Sequence, residues 1–289
     1  MTRLMRSLRN SARPALLFSL LLSFFSLSCQ KEIPPTYKES DIPEAIKKIC
    51  REEYSLQTTC FRTPTTLWIY APMEQILHKE YGVNESKLFD SEMIDKLRNI
   101  LTTIGRVLLS ADQSPEFFAL AATDTNVGIQ YTIIGNVLDM KKSYAGALPW
   151  TETNRRYVLN LKVAPELIRD NEGVNFKPYD ILFEEFLSEQ IAQRSGAFFN
   201  QEEMNKSFKV EKSNGAFREN SIVIEYAITQ IADPPRPLDI KKEILDIATY
   251  CIKSYEFFDF AMLELSDLVR QDKISLSNAA IWARTLKEW

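Results

Sequence analysis

An α/β or α+β fold is what this 289-residue chain predicts, built as two similar α-β-β-α-β units with helices packed on mostly antiparallel sheets. Three observations predict it. The period of hydrophobicity switches repeatedly between about 3.6 and about 2 residues, the signatures of helix and strand. The order of elements read in the first half recurs in the second. At a constant offset of 140, Ile100, Ile104, Val107, Leu108 and Ala111 fall on Ile240, Ile244, Ile247, Ala248 and Cys251, and Phe117, Phe118, Leu120 and Ala121 on Phe257, Phe258, Phe260 and Ala261.

The first unit, residues 42–175, opens with a helix over 42–54, whose stripe is Ile42, Ala45, Ile46, Ile49, Cys50 and Tyr54. A hairpin follows, with strands at 56–62 and 66–71 turned by Thr63-Pro64-Thr65. Asp90 is placed to cap a second helix, with Met93, Leu97, Ile100, Leu101, Ile104, Val107 and Leu108 along one face. Strands at 116–123, 128–134 and 156–163 extend the sheet. In the second unit, residues 176–289, a helix over 180–200 buries Phe183, Phe186, Leu187 and Ile191. Strands at 208–212 and 221–230 then flank Asn214-Gly215, a hairpin-turn dipeptide. Beyond Pro234-Pro235-Arg236-Pro237, a helix over 239–255 leads into a strand at 257–265.

Ahead of both units, Arg3, Arg6, Arg9 and Arg13 precede a 14-residue apolar run from Ala15 to Ser28, with no acidic residue before Cys29. That run falls short of the roughly 20 residues that span a bilayer, and fits the apolar region of a signal peptide. Cys29 ends it, and residues 30–41 form a polar, proline-containing stretch. Residues 1–29 thus resemble a bacterial lipoprotein precursor. The resemblance implies a signal peptide over 1–28, a lipid on Cys29, a tether over 29–41, and a membrane partner bound through that lipid. It places the chain in the cell envelope, on the outer membrane if the cell has two, since Gln30 and not Asp follows the cysteine. Ser26 and Ser28 also satisfy the small-x-small rule of ordinary signal peptidase, so export as a soluble secreted or periplasmic protein is the alternative.

Loss of residues 1–28 leaves 31 Lys and Arg against 39 Asp and Glu, an acidic chain that argues against nucleic acid as a partner. Cys50 and Cys251 lie on apolar helix stripes, as core thiols; Cys60, in a strand near the first helix, could bridge to Cys50. No CxxC or Cys/His ligand spacing points to a metal, and no motif to a cofactor. His78 is the only histidine, placed beside a polar loop, so a Ser-His-Asp triad would have to use it. Asp180, Glu184, Glu185 and Glu189 are the densest carboxylates, and read as the acidic first turns and solvated face of a helix.

The most distinctive connection, residues 139–156, mixes Tyr144 and Trp150 with cations. Trp150, Arg155 and Arg156 are the candidate partner-binding residues, because Tyr, Trp and Arg are enriched at binding hot spots. A short amphipathic crossover helix, with its aromatics in the core and its charges in water, is the other reading of this stretch. Three functional classes follow: a non-catalytic envelope binding or assembly module docking a protein or polymer, a carboxylate-dependent hydrolase, and a solute-binding lipoprotein, whose usual form has longer βαβ runs. The anchor has a direct test. Cys29→Ser should move the processed protein from the detergent-extracted membrane fraction to the soluble one; a mutant still membrane-bound after processing would show that the lipid is not the anchor.

Overall fold

The computed structural model describes residues 35–78, 88–235 and 237–285. The leader, Cys29 and residues 30–34 of the tether lie outside them. In chain order the elements are α1 (Ile42–Tyr54), β1 (Thr59–Arg62), β2 (Thr66–Met73), α2 (Ser91–Leu109), β3 (Phe117–Asp124), β4 (Ile129–Asn136), α3 (Val137–Tyr144), α4 (Trp150–Arg156) and β5 (Val158–Val163). Then come α5 (Phe183–Phe199), β6 (Phe208–Arg218), β7 (Ser221–Gln230), α6 (Ile240–Ser254), β8 (Met262–Asp267), β9 (Asp272–Ser277) and α7 (Asn278–Ala283).

The strands form two sheets, β1-β2-β3-β4-β5 and β6-β7-β8-β9. Each has one parallel pair, β2/β3 and β7/β8, bridged by α2 and α6; every other pairing is antiparallel. The two halves therefore share one plan: helix, hairpin, crossover helix, hairpin, helix. Their details repeat as well. Asp90 caps α2 and Asp239 caps α6. After β3, Asp124 accepts from the amides of Asn126 and Val127; after β8, Asp267 accepts from those of Val269 and Arg270. Asn136 and Ser277 then cap the closing helices α3 and α7.

The register relating the halves is longer than 140. On the helices, buried Ile100, Ile104, Val107 and Leu108 fall on buried residues both at 140 (Ile240, Ile244, Ile247, Ala248) and at 144 (Ile244, Ala248, Cys251, Ile252), so the strands decide. Thr66 pairs with Phe117 as Ser221 pairs with Met262, an offset of 145 between the two crossover strands. Sliding an amphipathic helix by four residues turns its stripe by only about 40°, so apolar pattern alone barely separates the two registers. Phe257, Phe258 and Phe260 lie before the strand, where Phe257 stacks on Phe260 and Phe258 on Trp282. Strand β9 and helix α7 are further additions to the expected order.

The central strands of the first sheet, β2 and β3, are covered on both faces. Leu67, Ile69, Phe118 and Leu120 face α1 and α2, while Trp68, Phe117, Ala119 and Ala121 face a layer formed by residues 176–186. This explains why β2 and β3 read as continuous apolar runs. Trp68 Nε1 donates to the Tyr179 carbonyl (2.7 Å), and Asp180 accepts from the amide and hydroxyl of Thr65 (both 2.9 Å). Residues 180–182 therefore belong to this covering layer, and the helix begins only at Phe183. The second sheet buries Ile222, Ile224, Tyr226, Leu263 and Leu265 beneath α5 and α6. Its other face is solvated, with Lys212 paired to Glu225 and Lys273 to Glu264.

Asn214-Gly215 is not a turn. The β6–β7 reversal uses Glu219 and Asn220, both at positive φ (49° and 60°), while Gly215 sits within β6 opposite Ile224. Its role is close approach: a Cβ there would lie 1.9 Å from the Ser188 carbonyl oxygen of α5. Ser213 Oγ donates to the Ala192 carbonyl (2.6 Å), so helix and strand are drawn together along this line. Gly215→Ala should cost about 1–3 kcal/mol through overpacking. Ala216→Ser, at the neighbouring position of opposite facing, should stay within about 0.5 kcal/mol. Urea unfolding of both variants checks this; equal midpoints would mean that the backbone yields at no cost.

Candidate functional site

Between the halves, the residue stretch singled out in sequence folds into two short helices, α3 and α4, but inverts the crossover reading: Tyr144 and Trp150 are exposed, while Asp139 and Arg156 are buried. Asn136 opens α3 by accepting from the amides of Leu138 and Asp139, and Asp139 is thereby turned inward. Arg156, expected at a partner surface, is instead only 6% exposed. The reason is electrostatic. Its Nη1 donates to Asp139 (2.8 Å) and its Nε to Glu152 one helical turn earlier (3.0 Å). Glu152 also receives both guanidinium nitrogens of Arg194 from α5 (2.7 and 3.2 Å). Tyr255, just past α6, donates to Asp139, and Arg156 lies over its ring at 4.8 Å. Gln190 completes the cluster by donating to the Arg156 carbonyl (2.6 Å) and to the Tyr255 hydroxyl (2.9 Å).

Two carboxylates thus meet two guanidinium groups in a largely buried seam, and the charges cancel. Burial works to raise the Glu152 carboxyl, but hydrogen bonds and charge from Arg194 and Arg156 outweigh it and hold it below the usual range. Burial, and then Asp139, push the Tyr255 phenol far up, so it stays a neutral donor. Such a cluster fixes geometry. Its charged groups are occupied by one another, and it holds α3 and α4 of the first half against α5 and α6 of the second.

Above the seam lies the open surface. Trp150 is 55% exposed and packs edge-on against Tyr144 (centroids 5.6 Å apart), which in turn lies on Gly105 of α2. A largely apolar groove of about 470 Å³ runs from Met93 and Leu97 past these two rings to Tyr157 and Leu159. A second cleft, of about 610 Å³, continues from Asn154, Tyr157 and Leu159 over Arg155 and Arg194 to Val210, Ile247 and Tyr250. Trp150 and Arg155 therefore line one extended groove crossing both halves. Burial pushes the Tyr157 phenol, midway along it, up to about 12, leaving a neutral hydroxyl there.

The remaining candidates are dispersed. Cys50, Cys60 and Cys251 are free thiols, so the Cys50–Cys60 bridge is not formed; burial raises all three, Cys60 to about 12 and Cys251 to about 11. Inert core thiols behave this way. The His78 amide donates to Leu88 beside the stretch 79–87, away from the seam. Asp180 secures the first hairpin turn, and hydrogen bonds from Thr63 and Thr65 lower its carboxyl. Glu189 is raised, by burial first and then by Glu185. Among the described residues no group of three or more His, Cys, Asp or Glu could hold a metal ion, and no helix is long and apolar enough to cross a membrane.

Of the network, only the Glu152–Arg156 spacing of four was visible in sequence. Asp139, Gln190, Arg194 and Tyr255 reach it from far along the chain and carry no local signal. Compared with family models, curated proteins and solved structures, the chain matches none.

Removing one member of the network should be costly, because it strands a buried charge. Arg156→Met is expected to lose about 3–5 kcal/mol, and Tyr255→Phe about 1–2 kcal/mol. Glu152 ionises more readily folded than unfolded, so its contribution is complete above the ordinary glutamate value of about 4.3 and declines as pH falls below it. Urea midpoints followed from about pH 6 to about pH 3 should therefore fall more steeply for the parent than for Glu152→Gln. Parallel curves would remove Glu152 from the acid response.

Proposed function

We propose that this chain is a non-catalytic binding or assembly module of the bacterial cell envelope, held to a membrane by a lipid on Cys29 and docking an envelope protein or polymer in the seam groove. The observation that carries the reading is the contrast between the two layers of the seam. Its charged groups are buried and mutually satisfied, while Trp150, Tyr144, Leu159 and Arg155 above them stay exposed along one groove. Exposed aromatic and aliphatic side chains on a rigid support are the usual form of a recognition surface. The basic n-region, short apolar run and polar stretch after Cys29 support the anchor, and the acidic balance past residue 28 supports a partner other than nucleic acid.

One observation favours a second reading, a carboxylate-dependent hydrolase. Glu189 and Glu225 line a common cleft, with Glu189 raised by burial and Glu225 lowered by its hydrogen bond from Lys212. Carboxyls pushed in opposite directions are what acid–base chemistry uses. The solute-binding reading has no comparable support, since each sheet contains a single parallel pair.

A photo-reactive side chain at Trp150 or Arg155, in cells, should give a discrete crosslinked product that the same group at Lys273, on the solvated face of the second sheet, does not. Trp150→Ala combined with Arg155→Ala should reduce crosslinking from a third groove position, Asn154, by about tenfold, as loss of a binding hot spot does, with the unfolding midpoint little changed. Identical products from groove and control positions would remove the groove from the reading. A hydrolytic activity abolished by Glu189→Gln alone would replace it with the enzyme reading.

A further inference from the structure

The seam groove borders a second feature with a more specific chemistry. Strand β5 is the last strand of the first sheet, β6 is the first strand of the second, and both are edges. They line one cleft of about 380 Å³, with Glu189, Ala192 and Gln193 of α5 beside them. At one point of β5 the place of a neighbouring strand is already taken. The Gln193 carboxamide accepts from the Leu159 amide (2.9 Å) and donates to the Leu159 carbonyl (2.7 Å). That two-bond exchange is what a residue of an antiparallel partner strand makes.

Backbone direction repeats every second residue in a strand, so the N–H and C=O groups of Leu161 and Val163 project to the same side as those of Leu159. Among the described residues β5 pairs with β4 alone. On this edge Leu159, Leu161 and Val163 also keep 42%, 45% and 76% of their surface exposed, three alternating apolar side chains on one face. An apolar edge with unpaired backbone is either covered or used as a template for another chain.

We propose that β5 receives an extended peptide segment of a partner protein as an added strand, its backbone bonding to Leu161 and Val163 in continuation of the Gln193 amide. The occupant's chemistry follows from the edge: a peptide backbone in extended conformation, with apolar side chains at alternate positions to meet Leu159, Leu161 and Val163. Strand addition of this kind draws affinity from main-chain hydrogen bonds and selectivity from alternate side chains. This deepens the binding-module reading and rests on it, since it names the partner class and the register of contact.

The probe is a displayed library of random twelve-residue peptides, selected against the purified full chain in detergent. Recovered peptides should carry apolar residues at alternate positions and slow hydrogen exchange at the amides of Leu161 and Val163. N-methylation of the peptide backbone should weaken binding at least tenfold at alternate positions and less than twofold at those between. Leu161→Pro removes an outward N–H that β4 does not use, and should abolish binding with the fold retained; if that variant fails to fold, the N-methyl series decides. The proposal is overturned by a library that yields no binder, by binders that leave those amides unprotected, or by protection that appears without peptide as protein concentration rises, which would make a second copy the occupant. Crosslinking at Arg155 that persists undiminished in folded Leu161→Pro would sink the strand proposal alone. Groove positions that crosslink no differently from Lys273 in the parent protein, with peptide binding intact, would sink the groove reading alone.

Discussion

Helix α5 leaves only one narrow stripe open, along Glu185, Glu189, Gln193 and Ala197, and packing on its remaining faces shapes everything around it. Phe186 enters the layer beneath the first sheet, Leu187 and Ile191 enter the core of the second, and Gln190 and Arg194 enter the charged seam. Ser188, Ala192 and Gly196 let β6 approach closely enough that position 215 must be glycine. A helix buried over most of its circumference shows little of the amphipathic stripe that marks surface helices. Here the polar residues on its buried faces are small, as Ser188 and Ser195 are, or hydrogen-bonded to a neighbouring element, as Gln190 and Arg194 are.

The seam is held by charge, and the balance of terms explains why it gives rigidity more than stability. Taking two carboxylates and two guanidinium groups out of water costs several kcal/mol per ion, and mutual attraction with ring and amide contacts offsets that cost. Replacing the cluster by apolar side chains could leave stability unchanged, whereas removing one member could not. What the cluster supplies is a single relative placement of α3, α4, α5 and α6, and with it a groove of fixed shape. Recognition surfaces depend on such support, because a partner that must also order its site loses affinity.

Much of the fold was legible in sequence because its determinants are local. The α1 boundaries, the Asp90 cap and the Thr63-Pro64-Thr65 turn follow from periodicity, capping and turn chemistry within a few residues. The misreadings have physical causes of the opposite kind. Gly215 looked like a turn residue because glycine serves both positive φ and close approach, and only the distant Ser188 decides between them. Phe257, Phe258 and Phe260 looked like a strand because aromatic stacking and strand propensity select the same residues. The site was legible in part. Trp150 and Arg155 stand on the groove, while Arg156, adjacent in sequence, turns inward to carboxylates that no local pattern could assign to it.

The sequence distance across the seam has a consequence for folding kinetics. The hairpins of both sheets close over short loops, but the Tyr255–Asp139 contact joins residues 116 apart, and Arg194–Glu152 joins residues 42 apart. Contacts of that range form only after the chain has met the entropy of closing long loops. The charged groups, moreover, gain from one another only once water has left. The seam should therefore consolidate after the rate-limiting barrier to folding and come apart before it in reverse. On that order its interactions govern how long the native state lasts, more than how quickly it is reached.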